Sequence, residues 1–413
     1  MQNSEPVGSR RTEADGAPQR VALLTGGGDK AYSLALAVAL SAAGNEVDYI
    51  GSDEQDDARL RNDPRIRFLN LRGSQSAKGG AAGKLVRVLI YYGKLIRYAA
   101  TARARVFHIL WNNKFQAFDR TGLMLYYRLL GKKVVMTAHN VNAGKRDGKD
   151  SWWNRFTLRM QYRLTQQLFV HTERMKQELV AEFQVPRGKV TVIPHGIHNS
   201  VPATAMTQAE ARQRLGLPPR DKTLLFFGNV APYKGVEYLV AAFNQLAVPG
   251  TDYRLIIAGR CKDCPDYRRQ IEQAVREGGA ADRVSMRIEF IPDAETEVYF
   301  KAADVMVLPY TFIFQSGVLF LAYNFGLPVI ASDLEALRDE IVAGETGLVF
   351  RTLDAADLAR AIRQYFGSEL YRDLEVRRLR IQEHANEHYS WAKVAAMTTQ
   401  VYAAAAGGRA AKV

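Results

Sequence analysis

Lys234 lies in FFGNVAPYKGVEYLVAAF, residues 226–243, between an apolar run that ends at Gly228 and a helical run that starts after Gly235. Read as strand, loop and helix, this segment carries an ammonium group to the C-terminal edge of a strand, where it can neutralise a diphosphate. Ser316 and Gly317 open a second helical run, in FIFQSGVLFLAYNFGLPVIASD at residues 312–333. The Ser316 hydroxyl and the backbone N–H groups of Ser316 and Gly317 make an anion site at that helix start. A third candidate is TGGGDKAY, residues 25–32, in which Gly27 and Gly28 let the backbone approach a ligand closely. It has neither the G-x-G-x-x-G spacing of dinucleotide sites nor the Walker Lys-Ser/Thr pair, so a tight turn without a ligand is its plain alternative.

These segments need a scaffold that sets loops beyond strand ends. From residue 20 onward apolar strand-length runs alternate with helix-length runs: strands at 21–25, 46–51, 66–69, 106–110, 134–138, 168–171 and 190–194. Such alternation implies a parallel sheet with helices on both faces. Residues 199–220 are rich in Pro, Thr, Ala and Gln and read as a linker, after which strands recur at 223–227, 253–258, 284–290, 305–309 and 328–331. The expected fold class is therefore α/β, with two doubly wound Rossmann-like domains at residues 20–198 and 221–385, followed by a C-terminal helix and tail at 386–413. Ligands of such sheets bind beyond the C-terminal strand ends, which points to the cleft between the two domains.

Composition narrows the class. With 413 residues, 47% hydrophobic and 24% charged, the chain can build real cores, and no apolar run is long enough to span a bilayer. Residues 1–19 carry charges, Pro and Gly without an apolar segment and are expected to be a disordered tail rather than a signal. Cys261 and Cys264 form a single C-x-x-C, too few ligands for a structural zinc and outside a thioredoxin-like context, so a surface loop in a reducing cytoplasm is expected. The net charge of +13 is uneven: residues 1–200 hold 31 Lys/Arg against 17 Asp/Glu, and residues 201–413 hold 25 against 26. An anionic partner should face the first half.

Beyond the three candidates, the ordered set includes Ala138-His139 after a strand, VIPHG at 192–196, IAG at 257–259, Ala303-Asp304 leading to Leu308-Pro309-Tyr310, Thr346-Gly347-Leu348 and Tyr389-Ser390-Trp391. In this order, across roughly residues 21–402, the chain resembles the GT-B glycosyltransferases of family 4, typical of bacterial polysaccharide and glycolipid synthesis. The resemblance implies two domains facing each other across a cleft and retaining sugar transfer from a nucleotide diphosphate donor, with no metal and no cofactor. The donor would be held by Gly27, Gly28, Gly228, Asn229, Lys234, Gly259, Arg260, Ser316, Gly317 and Val318. Lys234 would take up charge on the leaving diphosphate and His139 would touch the transferred sugar. His195 is expected to serve as a hinge residue, and Asp304 and Asp333 to cap local structure. The family's usual pair of glutamates falls on Ile313 and Leu321, no carboxylate occurs at residues 311–325, and Asn229 and Ala231 stand where a basic residue is common.

Residues 84–100, KLVRVLIYYGKLIRYAA, separate on a helical wheel into an apolar face holding Leu85, Val88, Leu89, Tyr92, Leu95 and Ile96, and a basic face holding Lys84, Arg87, Lys94 and Arg97. No acidic residue falls between Asp63 and Asp119. An interfacial helix on anionic lipid is expected, the plain alternative being a core-facing helix with a solvated basic side. The expected protein is thus a cytoplasmic enzyme peripherally bound to the inner face of the cell membrane, acting on a lipid-linked or oligosaccharide acceptor. A catalytically silent relative that binds a sugar nucleotide or glycan is the alternative suggested by the missing glutamates. No nucleic acid is expected, because no nucleic-acid module is recognisable.

Overall fold

The computed structural model describes residues 19–75, 81–146, 148–197, 201, 203–261 and 264–407. The tail expected at residues 1–19 lies outside them save for Gln19, as do residues 199, 200 and 202 of the expected linker.

Two parallel sheets form the scaffold. The first contains β1 (Arg20–Leu24), β2 (Glu46–Gly51), β3 (Ile66–Asn70), β4 (Val106–Ile109), β5 (Lys133–Thr137), β6 (Gln167–Val170) and β7 (Val190–Val192), in the order β3-β2-β1-β4-β5-β6-β7. The second contains β8 (Lys222–Phe227), β9 (Tyr253–Ala258), β10 (Val284–Arg287), β11 (Val305–Leu308), β12 (Val329–Ser332) and β13 (Gly347–Phe350), in the order β10-β9-β8-β11-β12-β13. Helices cover both faces of each sheet, so central strands such as Val21–Leu24 and Val305–Leu308 are buried throughout and read as unbroken apolar runs. Strand order reverses at β1/β4 and at β8/β11, and the crevices at these reversals are where such sheets take ligands.

β13 was not anticipated as a strand, because GLVF is short and opens on glycine. That glycine is required: a Cβ on Gly347 would lie 1.9 Å from the Val329 carbonyl oxygen of β12. The strand expected at 284–290 stops at Arg287, whose guanidinium turns to Glu289 and Glu295. The part of the linker that is described includes the helix Gln208–Arg214, opened by a capping box between Thr207 and Glu210. Its Arg212 is buried and ion-paired to Asp304 at 2.8 Å, and the same carboxylate accepts from the Thr223 N–H, also at 2.8 Å. Asp304 therefore ties the linker to the second domain.

Two elements cross between domains. The helix Trp391–Ala405 returns from the second domain to pack Val394, Ala395 and Tyr402 into the first, where Tyr402 Oη lies 2.6 Å from His108 Nδ1 and Thr399 accepts from Asn45. The loop after β11 reaches the other way: Phe314 is buried in the first domain's cluster with Tyr91, Tyr92 and Leu123, and Phe312 packs against the same cluster.

Cys261 and Cys264 are joined as a disulfide, with Cα atoms 5.8 Å apart. Cys264 stands directly before the helix Pro265–Glu277, and the Cα separation lies within bridging range. This differs from the reduced loop read from the sequence.

Candidate functional site

The glycines of the second domain's motifs are fixed by close backbone approach. Gly228 follows β8 with φ of 116° and Gly259 follows β9 with φ of 139°; a Cβ on Gly259 would sit 1.8 Å from the Gly228 carbonyl oxygen. Two strand ends can touch this closely only without side chains. The resulting floor borders a cavity of about 350 Å³ lined by Gly228, Asn229, Gly259, Arg260, Gly317 and Val318. Six expected donor residues thus meet at one place. Arg260 donates to Asn229 Oδ1 at 3.2 Å, which holds the guanidinium over the strand ends.

Asp29, Phe290, Asp293 and Thr296 also line this cavity and were not among the expected residues. Asp29 lies in the loop after β1, Phe290 in the loop after β10, and Asp293 and Thr296 in the first turn of the helix Asp293–Ala302 that follows it. Asp29 comes from the first domain, where its side chain accepts from the Tyr32 N–H at 3.0 Å and caps the helix Lys30–Ala42, so the cavity lies between the domains. Leu321, at one of the glutamate positions of the resemblance, lines the cavity as well, whereas Ile313 packs against the second domain's core.

Lys234 and Ser316 do not border the open space. Lys234 is buried, its Nζ 3.6 Å from the centre of the Tyr310 ring, and the Tyr310 hydroxyl lies 3.4 Å from Ser316 Oγ. Gly235 holds this arrangement in a left-handed turn, φ 62°, because any Cβ would meet the Pro309 carbonyl oxygen at 2.0 Å. Ser316 precedes the helix Gly317–Asn324, whose first N–H groups have no partners within the helix. The ammonium therefore stands behind the cavity wall, while the helix start at Gly317 and Val318 borders the space.

Gly27 and Gly28 are spaced against the first domain rather than against the cavity. A Cβ on Gly28 would strike the Trp111 ring at 2.2 Å, and one on Gly27 would come within 2.4 Å of Arg72 Nη1. Trp111 in turn stacks on His139, with ring centres 4.3 Å apart and planes 5° from parallel.

His139 belongs to an imidazole chain. His171 Nδ1 lies 3.2 Å from the Ile193 carbonyl oxygen, which can only accept, so this nitrogen bears the proton. Burial pushes the His171 pKa down to about 3, so its ring is neutral and its Nε2 is an acceptor. His139 Nδ1, 3.3 Å away, must then be the donor. His139 is itself held neutral, first by burial and then by its histidine neighbours. Among the described residues its buried Nε2 has no hydrogen-bond partner and presents a lone pair. A substrate hydroxyl would satisfy it. His195 lies beside this chain, its ring 5.1 Å from His171 and stacked at 5.5 Å on Phe320 of the second domain, which suits a residue at the domain junction.

The helix Ala81–Thr101 buries Tyr91, Tyr92, Leu95, Tyr98 and Ala99. The apolar face drawn from the sequence is therefore split. Leu85, Val86, Leu89, Ile90 and Ile96 remain exposed, together with Lys84, Lys94 and Arg97, while Arg87 is half-buried. Tyr98 and Tyr92 rotate the buried arc toward themselves by donating to Asp48 and Asp119, at 2.7 and 2.9 Å. No helix among the described residues is long and apolar enough to cross a membrane, and no group of three or more His, Cys, Asp or Glu among them could hold a metal ion.

Residues 26–200 match the family model described as Glycosyltransferase Family 4, and residues 221–368 match that described as Glycosyl transferases group 1. The D-inositol 3-phosphate glycosyltransferase of Corynebacterium glutamicum is 26% identical over 401 residues, 91% of each chain. Its counterpart from Corynebacterium aurimucosum is 27% identical over 244 residues, so that the match spans 57% of this chain and 56% of that relative. Among solved structures, sucrose-phosphate synthase from Thermosynechococcus elongatus aligns with a TM-score of 0.71 at 22% identity, covering 93% of this chain and 98% of that one. Anabaena HepE in complex with UDP and glucose aligns with a TM-score of 0.71 at 16% identity, covering 94% and 100%. These likenesses show the fold.

Proposed function

The chain belongs to the group 1, family 4 glycosyltransferases of GT-B fold, and we propose that it moves a sugar from a nucleotide diphosphate donor to a lipid-linked or oligosaccharide acceptor. The observation that carries this reading is the interdomain cavity, where Gly228, Asn229, Gly259, Arg260, Gly317 and Val318 meet Asp29 of the opposite domain. A nucleotide fits the second domain's strand ends, and HepE, of the same fold, is described in complex with UDP-glucose. The transferred sugar would then point toward the first domain and His139.

Chemistry in this site amounts to stabilising a departing diphosphate. Lys234 contributes a buried ammonium and the helix start at Gly317 contributes N–H groups, both in place before the bond breaks. His139 Nε2 accepts from a sugar hydroxyl and orients the ring. We assign transfer without a metal and retention of configuration on the strength of the family resemblance. The acceptor would enter from the first domain, whose excess of basic residues suits an anionic membrane face and a role in bacterial surface polysaccharide synthesis at the inner side of the cell membrane.

Release of labelled sugar onto membrane-extracted acceptor, measured across a panel of UDP-, GDP- and ADP-sugars, tests the reading. Leu321 within the donor cavity favours a second reading, a chain that binds a sugar nucleotide without turnover. Binding of a nucleoside diphosphate with no transfer from any donor would select it.

A further inference from the structure

A second cavity, of about 340 Å³, opens in the first domain beside the glycine-rich loop. Four cations line it, Arg72, Lys84, Arg87 and Lys114, with Ser74 and Gln75 and no carboxylate. They converge from three segments: Arg72 follows β3, Lys84 and Arg87 lie one turn apart on the helix Ala81–Thr101, and Lys114 follows β4. Among the described residues, Arg72, Lys84 and Lys114 form no ion pair. Arg72 Nη1 is buried without a hydrogen-bond partner among the described residues, and its guanidinium carbon stands 5.2 Å from the centre of the Tyr91 ring.

The surroundings hold Arg72 in place without giving it an ion pair among the described residues. Gly27 admits the guanidinium by lacking a side chain. Tyr91 donates to Asn113 Oδ1 at 2.7 Å. Two carboxylates lie in this neighbourhood, and both are occupied: Asp119 accepts from the Asn113 N–H and the Tyr92 hydroxyl, and Glu54 accepts from the Gln75 N–H at 2.6 Å. Cations gathered at one cavity repel one another, and a multiply charged anion relieves that repulsion while accepting several charge-assisted hydrogen bonds.

The cavity shares no lining residue with the donor cavity, yet the two meet at one loop: Gly27 abuts Arg72 and Asp29 lines the donor side. An anion here would be held on the acceptor side of the cleft. On the helix that supplies Lys84 and Arg87, the exposed Leu85, Val86, Leu89 and Ile90 form an apolar strip.

We propose that this basic cavity binds a phosphate or diphosphate group carried by the acceptor. The assignment to an acceptor rests on the glycosyltransferase reading; the anion site rests on Arg72, Lys84, Arg87 and Lys114 themselves.

The test is calorimetric titration of the full chain with inorganic diphosphate, farnesyl diphosphate and farnesol, after the donor cavity has been filled with whichever of UDP, GDP and ADP raises the melting temperature. Both diphosphates should bind, farnesol alone should not, and Lys84→Ala/Lys114→Ala should weaken the diphosphates by about tenfold or more. Both substitutions are at exposed positions, so the fold is retained, and Arg72→Ala gives a second, partly buried probe. Tighter binding of farnesyl diphosphate than of inorganic diphosphate supports the site with a lipid-borne phosphate, and equal binding supports it with a phosphate on a soluble acceptor. Unchanged diphosphate affinity in the folded double variant overturns the site. A chain that keeps the diphosphate site but binds no nucleoside diphosphate overturns the acceptor assignment through the transferase reading.

Discussion

His139 Nδ1 lies 3.3 Å from His171 Nε2, and His171 is in turn fixed by the Ile193 carbonyl at the end of the next strand. The tautomer of His139 is therefore set two residues away from the cleft. His171→Ala removes the acceptor, frees the His139 ring to turn over, and should lower kcat by about tenfold while leaving nucleoside diphosphate affinity within about twofold. His171→Gln, which restores an acceptor, should recover part of the loss. Steady-state kinetics beside calorimetric nucleotide binding distinguishes this from general misfolding, which would depress both.

Lys234 is buried against Tyr310, so a test of its charge must preserve its bulk. Lys234→Met keeps an unbranched side chain in the slot and removes the ammonium. If that charge answers the leaving diphosphate, kcat/KM should fall by about a hundredfold or more, comparable to losing one preorganised donor in a closed site. A folded Lys234→Met chain with near-normal transfer would remove the residue from the chemistry.

Acid should destabilise the fold through its buried histidines. Burial lowers the pKa of His108 and of His171 to about 3, whereas an unfolded histidine titrates near 6.5. Below about pH 6.5 the unfolded chain binds protons that the folded chain refuses, so stability falls as pH drops toward 3, by up to about 1.4 kcal/mol per pH unit for each histidine. Melting temperatures recorded from pH 7.5 to pH 5 should decline, and the decline should be shallower in His108→Gln. An identical slope in that variant would mean that other groups carry the effect.

Phe314 links the domains, since it leaves the second domain's loop and is buried among Tyr91, Tyr92 and Leu123 of the first. Removing such a ring costs about 3–5 kcal/mol where the site cannot collapse. Phe314→Ala should therefore raise hydrogen exchange around Tyr91 and Tyr92 and raise KM for the donor more than it lowers kcat, because the cavity is shared by two domains that are then less firmly joined. Unaltered exchange at those amides would show that the ring is not a tie.

Much of this architecture could be read from residue order, and the reasons differ by residue. Gly228 and Gly259 were legible because strand-end glycines have few other uses, and the structure shows their backbones in contact. Strand alternation was legible because a parallel sheet buried on both faces writes unbroken apolar runs. Arg72 was not, since nothing local marks an arginine that will lie against Gly27, some forty-five positions earlier in the chain. Phe314 was hidden for the same reason: its partners belong to the other domain. The helix Ala81–Thr101 was recognised, but a wheel weighs hydrophobicity alone, and tyrosines that donate to buried aspartates turned its buried face away from Leu85 and Leu89.

That rotation sharpens the expectation for the membrane. The solvent side of the helix carries Leu85, Val86, Leu89, Ile90 and Ile96 together with Lys94 and Arg97, a mixture suited to the boundary between acyl chains and anionic head groups. Binding should then depend on both components. Lys94→Glu/Arg97→Glu should weaken co-sedimentation with vesicles containing phosphatidylglycerol by more than about tenfold, and raising salt should mimic it, because charges are screened beyond about 8 Å at physiological ionic strength. Leu89→Ser/Ile90→Ser should weaken binding as well, and added salt should not mimic that loss, since burial of apolar surface carries no counterion. Both pairs are exposed, so neither should lower the melting temperature, and both lie away from the donor cavity, so nucleotide affinity should hold. If the two folded variants pellet with the vesicles as well as the parent does, this helix does not contact lipid, and its exposed leucines and isoleucines need another partner.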